Sequence, residues 1–361
     1  MEDFIRISPL DNVAVAVHDV QVGVTCNIDG KVVVMKEPIP AGHKVALSDL
    51  KAEDNVIKYG FPIGHLLEDV SEGCRIDHSN LKTNLEGLAE YVYQPENIPV
   101  CRAEAPAFFK GYRRYDGQAG VRNELWVIPT VGCVNGVVES ISRRFEAELA
   151  GYPHIERVVA FPHNYGCSQL GDDQTKTQLI LKGLVNHPNA AGVLVLGLGC
   201  ENNNIEVFKN VLGEWNENRV KFLNCQDFDD EIEEGVRLIN ELKVYAETFE
   251  RQLVPVSKLR IGLKCGGSDG YSGITANPLV GRVSDKLISM GGSCVLTEVP
   301  EMFGAETILM ARCQDKSVFD KTVRLINDFK DYFIKNDQPV YENPSPGNKE
   351  GGITTLEEKS L

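Results

Sequence analysis

No stretch of this 361-residue chain approaches the roughly 18 uninterrupted apolar residues of a membrane-spanning helix. Nor does the start, "MEDFIRISPLDN", offer a basic segment followed by an apolar run, so no signal peptide is expected. Basic residues are scarce, with 37 Lys and Arg against 52 Asp and Glu, giving a formal charge of −15. Nucleic acid and anionic membrane would be repelled by that charge, and neither is expected as a partner. The ten cysteines include no CxxC pair. Without a secretory signal they read as reduced thiols, which places the chain in the cytoplasm. Two nucleotide signatures are missing as well: no GK[ST] follows the Gly-rich stretch at 264–281, and "GLGCEN" (197–202) has Asn202 where a GxGxxG fingerprint needs its last glycine.

What remains is ordinary for a soluble globular chain, 42% hydrophobic and 25% charged. Residues 1–94 read as a small β-rich domain. "NVAVAVHDV" and "KVVVMKE" have strand composition, and Asp29-Gly30 is a hairpin turn signal. A pseudo-repeat aligns "IPAGHKVALSDL" (39–50) with "VSEGCRIDHSNL" (70–81), pairing Gly42 with Gly73 and Lys44 with Arg75. Residues 95–110 carry three prolines and no periodicity, which predicts a linker.

From 111 to 336 short apolar strands alternate with amphipathic helices. Strands are expected at 124–131, 157–162, 192–199, 220–224, 259–265 and 293–299. Stripes such as Phe208, Val211, Leu212 and Trp215 mark the helices between them. This pattern predicts an α/β fold, a mostly parallel sheet with helices on both faces. The polar, Gly/Pro-rich residues 337–361 read as a tail without a partner.

Ligands bind such sheets beyond the carboxyl ends of the strands. Chemistry recurs there: Cys133, then His163 and Cys167, then Cys200 and Glu201, then Cys265, then Glu298. His163, Cys200 and Cys265 would make a first shell for a divalent transition metal. Singly, each has a plain reading. A strand-end cysteine is usually a small hydrophobe, a histidine can bond a carbonyl, and "ENNN" can cap a helix starting near Ile205. The stretch "KCGGSDGYSGITANPLVG" leaves backbone N–H groups free to cradle an anion at a helix start. Arg113, Arg114 and Arg122 precede the 124–131 strand and suit a carboxylate. The four histidines of the N-terminal domain, His18, His43, His65 and His78, read as surface or turn residues, or alternatively as a cover for the cleft.

Five phrases then fall together: "GHKVAL" (42–47), "HNYGCS" (163–168), "GLGCEN" (197–202), "CGGSDGYSGITANP" (265–278) and "NPSPGNKEGG" (343–352). In this order they resemble the altronate/galactarate dehydratase family, and the N-terminal region resembles its SAF-type β-clip module. The resemblance implies a lyase that removes water from a sugar acid; for altronate the product would be 2-dehydro-3-deoxy-D-gluconate. Galactarate and sulfolactate are the alternative substrates, and a non-catalytic sugar-acid binder is the alternative class. It also implies Fe(II), with Mn(II) as the second choice. Family members continue beyond "NPSPGNK", so a C-terminal region is expected to be missing here. Position within the sheet then suggests roles. His163, Cys200 and Cys265 would be metal ligands, and His163, Glu201 and Glu298 the acid–base groups. Arg113 and Arg122 would hold the carboxylate, and Gly266, Gly267, Ser268, Asp269, Ser272 and Asn277 the hydroxyls. The partner expected is a small-molecule sugar acid, and a homo-oligomer is allowed.

Overall fold

The computed structural model describes residues 3–98, 105–147 and 149–361, so part of the expected 95–110 linker (99–104) lies outside the described residues. The chain forms two compact units: Glu104–Leu259, and Met1–Ala103 together with Arg260–Leu361. The single 111–336 domain read from the alternating pattern therefore divides near residue 260.

In the 104–259 unit, four parallel strands lie in the order Val158–Ala160, Glu124–Pro129, Ala190–Gly197, Val220–Asn224. Every residue of Glu124–Pro129 and Ala190–Gly197 is buried, which explains why both read as unbroken apolar runs. Side chains alternate between the two faces. Leu125, Val127, Leu194 and Leu196 pack on Val138, Ile141 and Phe145 of helix Asn135–Glu146 and on Val236, Ile239 and Leu242 of helix Glu231–Ala246. Trp126, Ile128, Val193 and Val195 face Leu181 and Val185 of helix Gly171–Val185 and Phe208 and Leu212 of helix Ile205–Leu212. Each such side chain contributes about 1.5–3 kcal/mol by leaving water. Asn204 caps Ile205–Leu212, accepting a hydrogen bond from Val207 N–H, the role read for "ENNN". A small antiparallel sheet, in which Phe108–Arg113 pairs with Gln252–Pro255 and Ala119–Gly120, completes this unit.

The other unit begins with β structure. The Thr25–Ile28 and Lys31–Val34 hairpin turns at Asp29 and Gly30, both at positive φ as the Asp-Gly signal requires. The pseudo-repeat is real in space: Lys44–Ala46 and Arg75–Ile76 pair antiparallel, Lys44 opposite Ile76. Gly42 (φ +78°) and Gly73 (φ +83°) take the same left-handed turn before them. Later in the chain, Arg260–Leu263 and Ser293–Leu296 form a two-stranded parallel sheet of their own. Val295 and Leu296 are half exposed, unlike the buried central strands, so these two segments do not extend the four-stranded sheet.

The expected tail is not a tail. Residues 352–358 are buried, with short helices at Pro346–Glu350 and Leu356–Ser360. Glu358 lies between the ammonium groups of Lys44 (2.9 Å) and Lys58 (2.7 Å), and all three side chains are fully buried. Burial pushes the Glu358 carboxyl up, but the two lysines outweigh it and hold it at about 2. Lys44 also donates to Gly352 O and Thr354 Oγ1. The tail reading fails because the partners of this polar segment lie some 300 residues earlier in the chain.

Candidate active site

In the unit containing residues 260–361, a cavity of about 680 Å³ opens beyond the carboxyl ends of Arg260–Leu263 and Ser293–Leu296. Next to its wall, three glycine-bearing phrases meet by backbone contact. Gly270 N–H donates to Gly351 O (2.6 Å). A Cβ on Gly270 or on Gly352 would collide with Gly42 O, so only glycine permits this approach. His43 follows Gly42 and bonds Glu350 O through Nε2 (3.0 Å); its Nδ1 is buried without a partner. Tyr271 donates to Val17 O (2.9 Å), and Asn348 Nδ2 to Ser268 O (2.8 Å). The phrases "GHK", "GGSDGYSG" and "NKEGG" are thus one assembly.

The cavity wall carries Cys265, Gly266, Gly267, Ser268, Ser272 and Asn277, all anticipated from sequence. Cys265 Sγ lies 3.3 Å from Ser268 Oγ. Asp269 instead shapes the turn, its carboxylate accepting from the Tyr271 and Ser272 N–H groups. Glu298 sits at φ +62°, accepts the Cys265 N–H (3.2 Å), and is not part of the wall. Among the lining charges, sequence reasoning missed Arg312 and Lys359; Glu301, just beyond the strand end at Glu298, lines the cavity as well. Lys359 donates to Glu301 Oε1 and Asn343 Oδ1, each at 3.0 Å. For Lys359 the available signal is "GGITTLEEKS", masked by the tail-like composition of the residues before it.

The other expected residues belong to the 104–259 unit. His163 presents no lone pair. Its Nε2–H donates to Pro129 O (2.8 Å) and its Nδ1 accepts from Tyr165 N–H (3.2 Å), so it braces a loop and is positioned as neither ligand nor acid. Glu201 is buried and accepts from Thr130 Oγ1 (2.7 Å), Leu198 N–H (3.1 Å) and Gly199 N–H (2.7 Å). Such a carboxylate fixes the loop that carries Cys200 and has little left for proton abstraction. Arg122 pairs with Glu124 (3.7 Å) and Glu156 (3.6 Å) at the amino end of its strand. The length of that strand, about 20 Å, separates it from the carboxyl edge. Arg113 stands opposite Ala119 in the small antiparallel sheet, and Arg114 is buried on Pro188 O and Asn123 Oδ1. The arginine cluster thus belongs to the scaffold. Among the described residues, no three His, Cys, Asp or Glu side chains close on a point that would hold one metal ion.

Three family models cover the chain in order. The Altronate/galactarate dehydratase SAF domain matches residues 2–84. The second domain of D-galactarate dehydratase/Altronate hydrolase matches 111–247, and the D-galactarate/Altronate dehydratase C-terminal model matches 256–361. The chain belongs to the altronate/galactarate dehydratase family. Among its relatives, altronate dehydratase of Bacillus subtilis (strain 168) is 55% identical over 361 residues, 100% of this chain and 73% of the relative. Altronate dehydratase of Escherichia coli (strain K12) is 51% identical over 99% of this chain and 72% of its own length. Galactarate dehydratase (L-threo-forming) of the same Escherichia coli strain is 32% identical, over 99% and 71%. The seam between the second and C-terminal family models, 247–256, falls close to the division between the two units near residue 260.

Proposed function

We propose that the chain is a hydro-lyase that converts D-altronate to 2-dehydro-3-deoxy-D-gluconate. The carrying observation is identity of 55% and 51% to altronate dehydratases over essentially the whole chain, against 32% to a galactarate dehydratase. A 680 Å³ cavity with cationic and several hydroxyl or amide groups on its wall supports the reading, since it suits a six-carbon polyhydroxy acid.

Lys359 and Arg312 bind the substrate carboxylate, and Ser268 and Asn277 its hydroxyls. The C2 proton is adjacent to that carboxylate, so its base must stand beside the carboxylate-binding cation. Glu301, 3.0 Å from Lys359 Nζ, meets this condition. Developing enediolate charge is then stabilised by the same ammonium. Glu298 holds the Cys265 turn in register from behind. The donor set expected for Fe(II) or Mn(II), namely His163, Cys200 and Cys265, does not fit, because both His163 nitrogens are committed to backbone. Glu301 returns the C2 proton to the departing C3 hydroxyl, so water leaves and the carboxylate is regenerated, with the chain's own side chains only. Iron is favoured over manganese, since the exposed thiols Cys133, Cys167 and Cys200 are soft donors that suit iron better. The substrate is a small sugar acid, and no helix among the described residues is long and apolar enough to cross a membrane. We place the activity in the cytoplasm, in keeping with nine free thiols among the described residues.

Lys359→Met tests the assignment. The substitution keeps the stem and removes the charge, so kcat/KM for D-altronate should fall about 10²–10³-fold, as for loss of one charge-stabilising donor. Unchanged kcat/KM would remove Lys359 from the site, and preferential turnover of galactarate or sulfolactate would overturn the substrate.

A further inference from the structure

Three of the nine free cysteines among the described residues are exposed: Cys133, Cys167 and Cys200. A free cysteine kept only for packing is normally buried, as Cys26 and Cys225 are. These three instead stand on the loops that leave three adjacent parallel strands, Glu124–Pro129, Val158–Ala160 and Ala190–Gly197. Each directly follows a glycine: Gly132, Gly166 and Gly199.

The glycines are required by the geometry. A Cβ on Gly132 would lie 2.6 Å from His163 O, and one on Gly166 (φ +101°) would collide with Thr130 O. Gly199 (φ +126°) holds a conformation that side-chain-bearing residues rarely adopt. Backbone bonds then lace the loops together: Gly132 N–H to Tyr165 O (2.9 Å), Asn202 N–H to Cys167 O (3.5 Å) and Asn203 N–H to Gly166 O (3.4 Å). Buried or half-buried polar side chains add braces. Thr130 bonds Glu201, Asn203 Nδ2 bonds Thr130 O (3.1 Å), and Asn135 Nδ2 bonds His163 O (2.8 Å). The Cys133 thiol faces Cys167, with Cys200 close by; desolvation, then these neighbours, push it up. So much bracing for three exposed thiols is otherwise unexplained.

We infer that Cys133, Cys167 and Cys200 hold an iron–sulfur cluster at the carboxyl edge of the parallel sheet. Thiolates are soft donors and select such clusters over hard cations. A cluster spreads its ligands over several irons, so its thiols need not close on one point as those of a single ion must. The cluster site rests on this loop geometry and not on the identity of the substrate.

The test is metal and sulfide content, independent of turnover. The full chain, purified anaerobically and supplied with ferrous iron and sulfide, should bind iron and acid-labile sulfide in equal amounts and show sulfur-to-iron charge-transfer absorption. Cys133→Ser, Cys167→Ser and Cys200→Ser should each lose both, with circular dichroism spectra unchanged. Cys225→Ser and Cys265→Ser should retain both, which separates this site from a ligand set containing Cys265. Iron-free protein after reconstitution, stoichiometric zinc without sulfide, or full cluster content in the triple serine variant would each overturn the inference. So would a Cys133–Cys167 disulfide found in place of metal.

Discussion

Glu358 shows how much rests on a single side chain. It is the one carboxylate between two fully buried ammonium groups, and its removal leaves both charges without a counter-ion. Glu358→Gln should therefore destabilise the unit holding residues 1–103 and 260–361 by about 3–5 kcal/mol, read as a lower urea midpoint of that unit's transition. His163 makes the opposite case. Its ring is a natural ligand candidate from sequence, because imidazole beside a strand-end thiol is a common metal-site pattern. Its partners are a backbone carbonyl and a backbone amide, and nothing in a residue string displays those. His163→Gln should keep its iron, since a side-chain amide can still donate to Pro129 O, while His163→Ala should lose about 1–2 kcal/mol of stability. Loss of iron in His163→Gln would restore histidine to the ligand set.

At the scale of elements, the central strands were legible because burial on both faces leaves only apolar residues in them. The 192–199 run appears in space as Ala190–Gly197, and helix Ile205–Leu212 carries Phe208, Val211 and Leu212 of its apolar stripe, Trp215 lying beyond its end. Sheet membership was not legible. Arg260–Leu263 and Ser293–Leu296 have the composition of central strands, yet among the described residues they pair only with each other, since composition fixes strand character and not the choice of partner. The loops posed the same problem. "GCVN", "YGCS" and "LGCE" each read plainly as a strand end, but their mutual bracing appears only once the strands lie in register. Gly166→Ala tests the bracing itself, as the methyl must displace the Thr130 carbonyl. It should lower cluster content although no thiol is touched, and intact iron and sulfide would show that the loop tolerates the shift.

For the whole molecule, the SAF-domain turn at Gly42–Lys44 and residues 343–361, segments about 300 residues apart in sequence, are joined by the buried Lys44–Glu358 contact. Acid should act on this unit in two stages. Burial, then Lys44 and Arg75, lower the His43 pKa, so stability present above about pH 6.5 is lost as the unfolded state takes up the proton. Glu358 is also lowered, to about 2. Its contribution is complete above about pH 4.3 and is lost as pH falls toward 2. Urea midpoints followed against pH should show both stages, His43→Gln removing the first and Glu358→Gln the second. The molecule takes water from altronate. The most direct test of that activity is the rate of 2-keto-3-deoxy acid formation by the anaerobically reconstituted full chain with D-altronate and galactarate in parallel. kcat/KM should be at least about tenfold higher for D-altronate, equivalent to about 1.4 kcal/mol of transition-state binding, and should collapse in Lys359→Met. Equal or faster turnover of galactarate, or no keto acid from a chain shown to carry its iron and sulfide, would contradict this assignment.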